Sequence, residues 1–503
     1  TFIIKHNFLI FNVSIEKRTT KAALIVSVAG IVVVLLSYLL RVILARTLTL
    51  ADYGLFYAVF AVVQLFLFFE GFGTPTALVK FISQFKSQEE YGKIKTIIFS
   101  TFFIQLISLS FISLILYLIA PFLAEHYFKT SAAELLIKLF VLYILLGFLF
   151  KLTRGIFNGF QKFKIFALME PIRLIIVIFS LFILLALDYG VLAPILAFNI
   201  AWILTVLFFV IPLFKTVKFS KYKISKPYLM GRKLLKFGFP LMFVGVSSKV
   251  ISYLDTIVLT YFIGLDQVGI YNAILPSSLI FLFLGNALAN VLLPVSSELW
   301  VSKLKDKISS SLNNAYKFVL FFTLPLILAV MIYAEFFIGF VFGEGFVPGA
   351  NVFRILLIGV AFFSIAVMNN SILVGVGKTK TVMKILISAS IINLILNLIL
   401  IPSFGIMGAA VSTSFSYILV LAFNYNFIKE KMGVSLNKSN IVKLVIGSLI
   451  FALILLILKS VVDWGIWYEL IFGILVSGAV YVLFMFKMKV ITISELRRLV
   501  RKE

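Results

Sequence analysis

The chain has no cysteine and only two histidines, and each shortage excludes a class of chemistry. Without cysteine there is no disulfide, no thiolate metal site and no thiol nucleophile. With only His6 and His126 available, a metal centre or a general base built on imidazole is not expected. We therefore expect no metal and no cofactor.

Charged residues are also scarce, at 13% of 503 residues, whereas 62% are hydrophobic. A soluble domain is about half apolar, so this composition predicts an all-α polytopic membrane protein. The N-terminal stretch lacks a small-residue cleavage site after an apolar core. We expect residues 1–21 to be a retained cytoplasmic segment.

A bilayer-spanning helix needs about 20 mostly apolar residues. The sequence contains about fourteen such runs, with no long hydrophilic segment between them to form a soluble domain. Their approximate bounds are 22–44, 54–79, 96–120, 134–153, 165–187, 191–214, 238–263, 269–295, 312–338, 352–374, 382–401, 405–428, 441–459 and 465–486.

Most basic residues lie on one side of the membrane in this predicted topology. If the N-terminus is cytoplasmic, 37 of the 45 lysines and arginines lie in inner segments. This positive-inside bias supports fourteen spans in the cell membrane with both termini cytoplasmic. The net charge of +25 is then mainly a topology signal, with attraction to anionic lipid as a second effect. It does not indicate nucleic acid.

The stretch VGVGKTKT, from Val374 to Thr381, resembles the end of a phosphate-binding loop. Such a loop needs G-x-x-x-x-G-K-[ST], and the position of its first glycine is occupied by Ile372. A second stretch, NGFQKFK, explains the pattern better, because it has a glycine and two lysines at the same spacing. These matching residues are Gly159, Lys162 and Lys164. We expect two cytoplasmic turns and no ATP binding.

Two further pairs of stretches repeat with nearly the same separation along the chain. LADYGLFYAV at Leu50 matches LDQVGIYNAI at Leu265, and DYGVLAP at Asp188 matches SFGIMGA at Ser403. The sequence therefore predicts two six-helix repeats, followed by two extra helices. An even helix number makes the repeats parallel. The predicted parts are a cytoplasmic segment (1–21), two bundles (22–214 and 238–428) joined by a basic linker (215–237), the extra helices (429–486) and a tail (487–503).

Several stretches resemble the polysaccharide transport flippases of the multidrug/oligosaccharidyl-lipid/polysaccharide exporter superfamily. They are LARTLTLADYGLFYAV, FGTPTALVKFISQF, RGIFNGFQKFK and LKFGFP…YLDTIVLTYFIGLDQVGIYNA. The resemblance covers essentially the whole chain and carries no catalytic signature. It implies a V-shaped pair of bundles around a central cavity, alternating access without ATP, and a lipid-linked oligosaccharide as substrate.

Ionisable groups inside a span are costly and mark functional sites. Lys249 lies about 17 Å into the seventh span, where its ammonium would meet the phosphate or pyrophosphate of such a substrate. The alternative is that a buried carboxylate neutralises Lys249.

Arg41 and Asp255 occupy nearly equivalent positions in the two repeats. They form an outer gate, or Arg41 belongs to the cationic cavity and Asp255 caps its own region, or both snorkel at the interface.

Two glutamates lie near the predicted inner face. Glu70 precedes GFGTP, a sequence that breaks helices, and is a candidate for binding a coupling cation, H⁺ or Na⁺. It alternatively marks the end of the second helix. Glu170 and Arg173 are three residues apart, a spacing that allows them to pair on one helix.

The function favoured is therefore a flippase that moves a polyprenyl-phosphate-linked glycan from the inner to the outer leaflet, with membrane lipids as further partners and no enzymatic activity. One alternative is a cation-coupled multidrug exporter, which usually has twelve helices and an acid in each half. Another is a membrane glycan polymerase or ligase, but such enzymes usually have a large outer loop for chemistry, and every outer loop here is short.

Overall fold

The computed structural model describes residues 2–217, 220, 222–433, 437–461 and 465–491, without the side chains of 2–21, 23, 68, 69, 240, 241 and 243–252. These described residues form sixteen α-helices and no strand. In chain order the helices are α1 (Phe2–Thr47), α2 (Leu50–Phe66), α3 (Thr74–Ser87), α4 (Tyr91–Phe122), α5 (Ala132–Gly159), α6 (Phe163–Ala186), α7 (Ala193–Val217), α8 (Pro227–Phe262), α9 (Leu265–Leu279), α10 (Phe283–Val301), α11 (Lys305–Ile332), α12 (Ala334–Phe342), α13 (Ala350–Gly375), α14 (Thr379–Met432), α15 (Lys438–Val461) and α16 (Ile466–Lys487).

The described residues contain 11 helical segments that are long and apolar enough to cross a membrane, or up to 12 if α2 and α3 form one bent span. The expected number of fourteen is therefore not confirmed. Two places account for the difference. Part of α8 lacks described side chains, and α14 is counted once although its 54 residues change direction at Gly405.

The chain divides into two compact units, Thr1–Gly269 and Ile270–Glu503. α8 belongs to the first unit because it packs on α2, α3, α4 and the segment between α2 and α3. In the second unit α13 packs on α10, α11 and α14, and α15 packs on α11 and α16. The predicted bundles at 22–214 and 238–428 follow the sequence repeat and stay a prediction.

The turns after α5 and α13, which contain the two matching lysine stretches, have the same hydrogen bonds. Lys162 N–H donates to the carbonyl of Phe157, as Lys378 N–H donates to that of Leu373. In each turn the preceding residue adopts a positive φ, 58° at Gln161 and 80° at Gly377. This pattern is the Schellman motif that ends a helix. VGVGKTKT is therefore a helix end followed by a helix start, as the sequence predicted.

The turns after α3 and α10 form a second matching pair with the same motif. Glu90 N–H donates to the carbonyl of Phe85, and Leu304 N–H donates to that of Leu299. The positive φ values are 57° at Glu89 and 58° at Lys303. These two turns therefore end their helices in the same way, and the internal repeat stays a prediction from sequence.

A backbone break separates α2 from α3. Glu70 has an extended conformation (φ −56°, ψ 106°), and Gly71, Phe72 and Gly73 all have positive φ. The two helices are bent by 53° at this point. Gly73 also lies directly against α8, because a Cβ there would be 2.1 Å from the Gly238 carbonyl oxygen. Only glycine permits this backbone approach.

Candidate functional site

Arg41 lies in the last two turns of α1, against two tyrosines of α2. Its Nη1 donates to the Tyr53 hydroxyl at 3.4 Å, and its guanidinium lies 4.4 Å from the centre of the Tyr57 ring. Tyr53 is fully buried, and the two tyrosine rings are 4.7 Å apart. A guanidinium over an aromatic face is stabilised by the ring quadrupole, so α2 supplies a polar and aromatic support for a cation within the candidate span 24–47.

Glu70 forms an ion pair at the break after α2. Lys151 Nζ on α5 donates to both carboxylate oxygens, at 2.9 and 2.7 Å. The Glu70 side chain is 12% exposed and that of Lys151 is 42% exposed. The break turns Glu70 towards α5, so this carboxylate has a cation partner rather than an empty pocket.

A second ion-pair group joins α5 and α6. Arg173 Nε donates to Glu170 Oε1 at 3.0 Å, which confirms the pair predicted from their spacing. Arg154 on α5 approaches the other Glu170 oxygen at 3.7 Å. The Arg173 guanidinium also lies 4.5 Å from the Trp202 ring on α7. One carboxylate therefore faces two guanidinium groups.

Tyr143 on α5 lies near both ion-pair groups, those of Lys151 with Glu70 and of Arg173 with Glu170. The ring packs 5.7 Å from Trp202, so it lies inside the helix bundle of the first unit. Arg41 and the two ion-pair groups together comprise four basic side chains and two acidic ones in the first unit. They are Arg41, Lys151, Arg154, Arg173, Glu70 and Glu170.

The other two predicted site residues are on α8. Asp255 is buried, with 4% of its surface exposed. Lys249 lies within the helical range of α8, but its side chain falls outside the described residues, so its position relative to Arg41 or Asp255 stays a prediction. Sequence reasoning did not single out Lys151. Its position could have indicated a buried charge, because Lys151 lies about two turns before the end of α5 at Gly159. That helix has 28 residues, so Lys151 is well inside it.

The polar interior of the second unit consists mainly of amides and hydroxyls. The Tyr316 hydroxyl donates to Asn369 Oδ1, and Asn424 Nδ2 donates to Asn370 Oδ1 at 2.9 Å. Lys317 is also buried there. Among the described residues, no group of three or more His, Asp or Glu side chains could hold a metal ion. A further polar group joins Asn393, Asn397, Thr413 and Tyr271.

Two family models match the chain. The family described as Polysaccharide biosynthesis protein matches residues 19–300, and MatE matches residues 240–399. An uncharacterised membrane protein of Methanocaldococcus jannaschii is 29% identical over 483 residues, covering 93% of this chain and 95% of that protein.

Two relatives are named as flippases. The probable low-salt glycan biosynthesis flippase Agl15 of Haloferax volcanii is 26% identical over 231 residues, 46% of this chain and 49% of that protein. The lipid II flippase MurJ of Bacillus subtilis is 24% identical over 445 residues, 80% of each chain. Among solved structures, lipid II flippase MurJ in an inward closed conformation superposes with a TM-score of 0.74 at 20% identity, covering 95% of this chain and all of that one. This likeness shows the fold.

Proposed function

Because this chain belongs to the polysaccharide biosynthesis protein family, we propose that it moves a lipid-linked oligosaccharide from the inner to the outer leaflet of the cell membrane. The substrate class is a glycan on a polyprenyl phosphate or pyrophosphate. The relatives named as flippases are transporters, and the chain is a transporter rather than an enzyme. Alternating access without ATP is the proposed mechanism.

One observation carries the proposal beyond family membership. Arg41 and the two ion-pair groups of the first unit bring together four basic and two acidic side chains from α1, α5, α6 and the α2–α3 break. Buried ionic groups are expensive in a membrane interior and are kept where a charged substrate or ion passes. An excess of basic side chains suits a phosphate-bearing head group.

We assign Lys249 and Arg41 to the substrate head group. Arg41 already has two tyrosines that orient its guanidinium, and guanidinium is the side chain best suited to bidentate phosphate contact. The tyrosine faces also suit a sugar that follows the phosphate. Lys249 supplies a second positive charge at mid-span depth.

We assign Glu70 and Asp255 to gating or to coupling with H⁺ or Na⁺. The Lys151 ammonium neutralises the Glu70 carboxylate at the break, so protonation of Glu70 or binding of a cation there would release the ammonium. The break between α2 and α3 is the element that such a release would free to move. Asp255 would act similarly on α8.

The test is glycan export in a strain that depends on this chain, with membrane levels checked by blot. We expect Lys249→Arg to keep part of the activity and Lys249→Ala and Lys249→Glu to lose it while still inserting. Full activity of Lys249→Ala would refute the head-group role. If Lys249→Ala instead lowers stability and neutralising Asp255 or Glu70 restores it, the lysine is a structural partner.

The proposed topology has both termini and residues 215–236 in the cytoplasm. Single cysteines at Ser220 and Asp188 should then react oppositely with an impermeant thiol reagent, since the natural chain contains no cysteine. Labelling of the Ser220→Cys protein from outside intact cells would overturn this orientation.

A cation-coupled multidrug exporter is the second candidate, because the MatE model matches residues 240–399. It predicts efflux of organic cations that depends on Glu70 and Asp255 and survives loss of Lys249. Drug resistance in cells expressing the Lys249→Ala protein would favour this function over glycan transport.

A further inference from the structure

A groove of about 940 Å³ lies between α4 and the first turns of α8. Its lining is aromatic and aliphatic apart from Ser100 and two cations, Arg232 and Lys236. No carboxylate occurs among the described residues that line it. The groove thus combines apolar walls with two positive charges on one helix. The residues that define this α4–α8 groove for the argument are Phe99, Phe103, Tyr228, Arg232, Lys236 and Phe239.

The helical spacing aligns these side chains. Tyr228, Arg232 and Lys236 are four residues apart on α8, so they form one stripe along the helix. From Tyr228 to Phe239 the groove extends about 16 Å at 1.5 Å per residue. The cations lie within the first three turns of α8, at the helix end that the basic residues predict to be cytoplasmic.

Three hydrogen bonds hold the start of α8 against α4. Lys95 Nζ donates to the carbonyl of Tyr222 at 2.6 Å, and Ser225 N–H donates to Thr96 Oγ1 at 3.0 Å. The Ser100 hydroxyl donates to the Pro227 carbonyl at 2.9 Å. The groove is therefore preformed, and a ligand would not have to order its walls.

The basic residues in the first three turns of α8 differ in what they contact. Lys233 lies over the rings of Phe81 and Phe85, at 4.9 and 5.2 Å, and so stabilises the protein itself. Arg232 and Lys236 are exposed and make no ion pair within the part of the chain that the structure describes. Two positive charges therefore remain available along one wall of an apolar groove.

We propose that the α4–α8 groove binds an anionic glycerophospholipid of the cytoplasmic leaflet. Its phosphate lies at Arg232 and Lys236, and its acyl chains follow the phenylalanines of the groove. Free phosphate would contact only the two cations and leave the apolar walls uncovered, and a zwitterionic lipid would bring its own cation beside the two already there. Phe72 also lines the groove, so the bound lipid touches the break between α2 and α3.

The test is native mass spectrometry of the purified full-length chain with added phosphatidylglycerol or phosphatidylcholine. A basic residue near a membrane surface adds about a fivefold gain in affinity for anionic lipid. We expect Arg232→Ala/Lys236→Ala to weaken phosphatidylglycerol binding by at least about fivefold and phosphatidylcholine binding by less than twofold. Arg232→Lys/Lys236→Arg should keep the preference.

A matched control removes two exposed lysines from another predicted cytoplasmic turn, Lys378→Ala/Lys380→Ala. It should leave phosphatidylglycerol binding unchanged. An equal loss in this control would mean diffuse surface attraction and would overturn the site. Equal losses for both lipids in Arg232→Ala/Lys236→Ala would overturn the anionic preference, and no loss at all would overturn the proposal.

A second pair of variants tests the apolar part. A Cβ at Gly231 would meet Ile104 Cδ1 at 3.6 Å, an ordinary contact, so Gly231→Ala should fold and bind lipid normally. Gly231→Trp should fill the groove and remove the tightly bound phosphatidylglycerol. Retained tight binding in a folded Gly231→Trp protein would place the lipid elsewhere. These measurements do not involve transport, so they stand or fall separately from the flippase proposal.

Discussion

The two units share a backbone pattern but differ in the chemistry of their interiors. The helix-ending turns after α3 and α5 recur after α10 and α13 with the same hydrogen bonds. Inside the helices, the first unit has the ion pairs Glu70–Lys151 and Glu170–Arg173, whereas the second has amide and hydroxyl pairs such as Tyr316–Asn369. The two units are alike in turn geometry, which sets the fold, and unlike in the side chains that face the interior.

This difference assigns different tasks to the two units. A neutral amide pair stabilises packing in a membrane by roughly 0.5–2 kcal/mol and carries no net charge. An ion pair at a backbone break can exchange its partner for a phosphate or a proton. The comparison therefore predicts that charge changes in the first unit affect transport and that polar changes in the second affect mainly stability.

The largest effect is expected at the Glu70–Lys151 pair. Lys151→Ala leaves a mostly buried carboxylate without its cation and should lower stability by roughly 1–3 kcal/mol, less than for a fully buried pair because Lys151 is 42% exposed. Glycan export should fall by at least about tenfold. Thermal unfolding in detergent and the export assay measure the two effects.

The control for this change is the neutral double variant Glu70→Gln/Lys151→Gln. It removes both charges together and should regain most of the stability but not the export. If export also returns, the pair is structural only, and the difference proposed between the two units is wrong.

A smaller effect is expected at Tyr316 in the second unit. Tyr316→Phe removes the donor to the fully buried Asn369, which should cost about 1–2 kcal/mol of stability. Export per folded molecule should stay within about twofold of the natural chain. A loss of export at normal stability would show that the second unit also handles the substrate.

A change of about 1 kcal/mol is expected at the repeated turns. Gly377 has φ 80° and open space around its Cα, so Gly377→Gln should destabilise by about 1 kcal/mol through backbone strain alone. Lys303→Gly, at φ 58°, should stabilise by up to about the same amount. If both changes shift the melting temperature in the same direction, strain at these turns is not the cause.

The smallest effect concerns Glu335, on α12 between the candidate spans 305–332 and 344–375. Burial would raise the pKa of Glu335, but the hydrogen bond and charge of Arg354 lower it overall, so its folded-state pKa lies below the unfolded value. Its stabilisation is then present above about pH 4.5 and is lost as pH falls through the folded-state pKa.

The measurement is the melting temperature of the natural chain and of Glu335→Gln between pH 7 and pH 3. The natural chain should be more stable by a fraction of 1 kcal/mol at pH 7, because the carboxylate is half exposed. The difference should shrink as pH falls below 4.5 and disappear once Glu335 is protonated in the folded state. A difference that grows on acidification would contradict the sign of the pKa change.

Much of the architecture followed from sequence because its physical cause is local. Hydrophobic runs predict most of the helices, and the matching stretches at Gly159 and Gly375 predicted two turns, which the structure has. The six-helix repeat inferred from them stays a prediction. The resemblance to a flippase family is confirmed by the family match and the named relatives. The fourteen-span total is not confirmed, since α14 continues through the bend at Gly405 as one helix and part of α8 lies outside the described side chains.

The site was harder to predict because its partners are distant in sequence. Glu170 and Arg173 are neighbours on one helix turn, and their pairing was predicted correctly. Glu70 and Lys151 lie on separate elements far apart in the chain, and only the break after α2 together with the packing of α5 brings them into contact. Composition can indicate a charge inside a span, but it cannot identify the partner.

Gly405 has a consequence for how the chain tolerates mutation. An uninterrupted helix over Thr379–Met432 would be about 81 Å long, more than twice the thickness of the hydrocarbon core. The break relies on φ 58° and ψ −137°, a conformation essentially restricted to glycine. In a library of all single substitutions selected for glycan export, every codon other than glycine should therefore be depleted at position 405, whereas neighbouring lipid-facing positions such as Phe404 should accept most apolar residues.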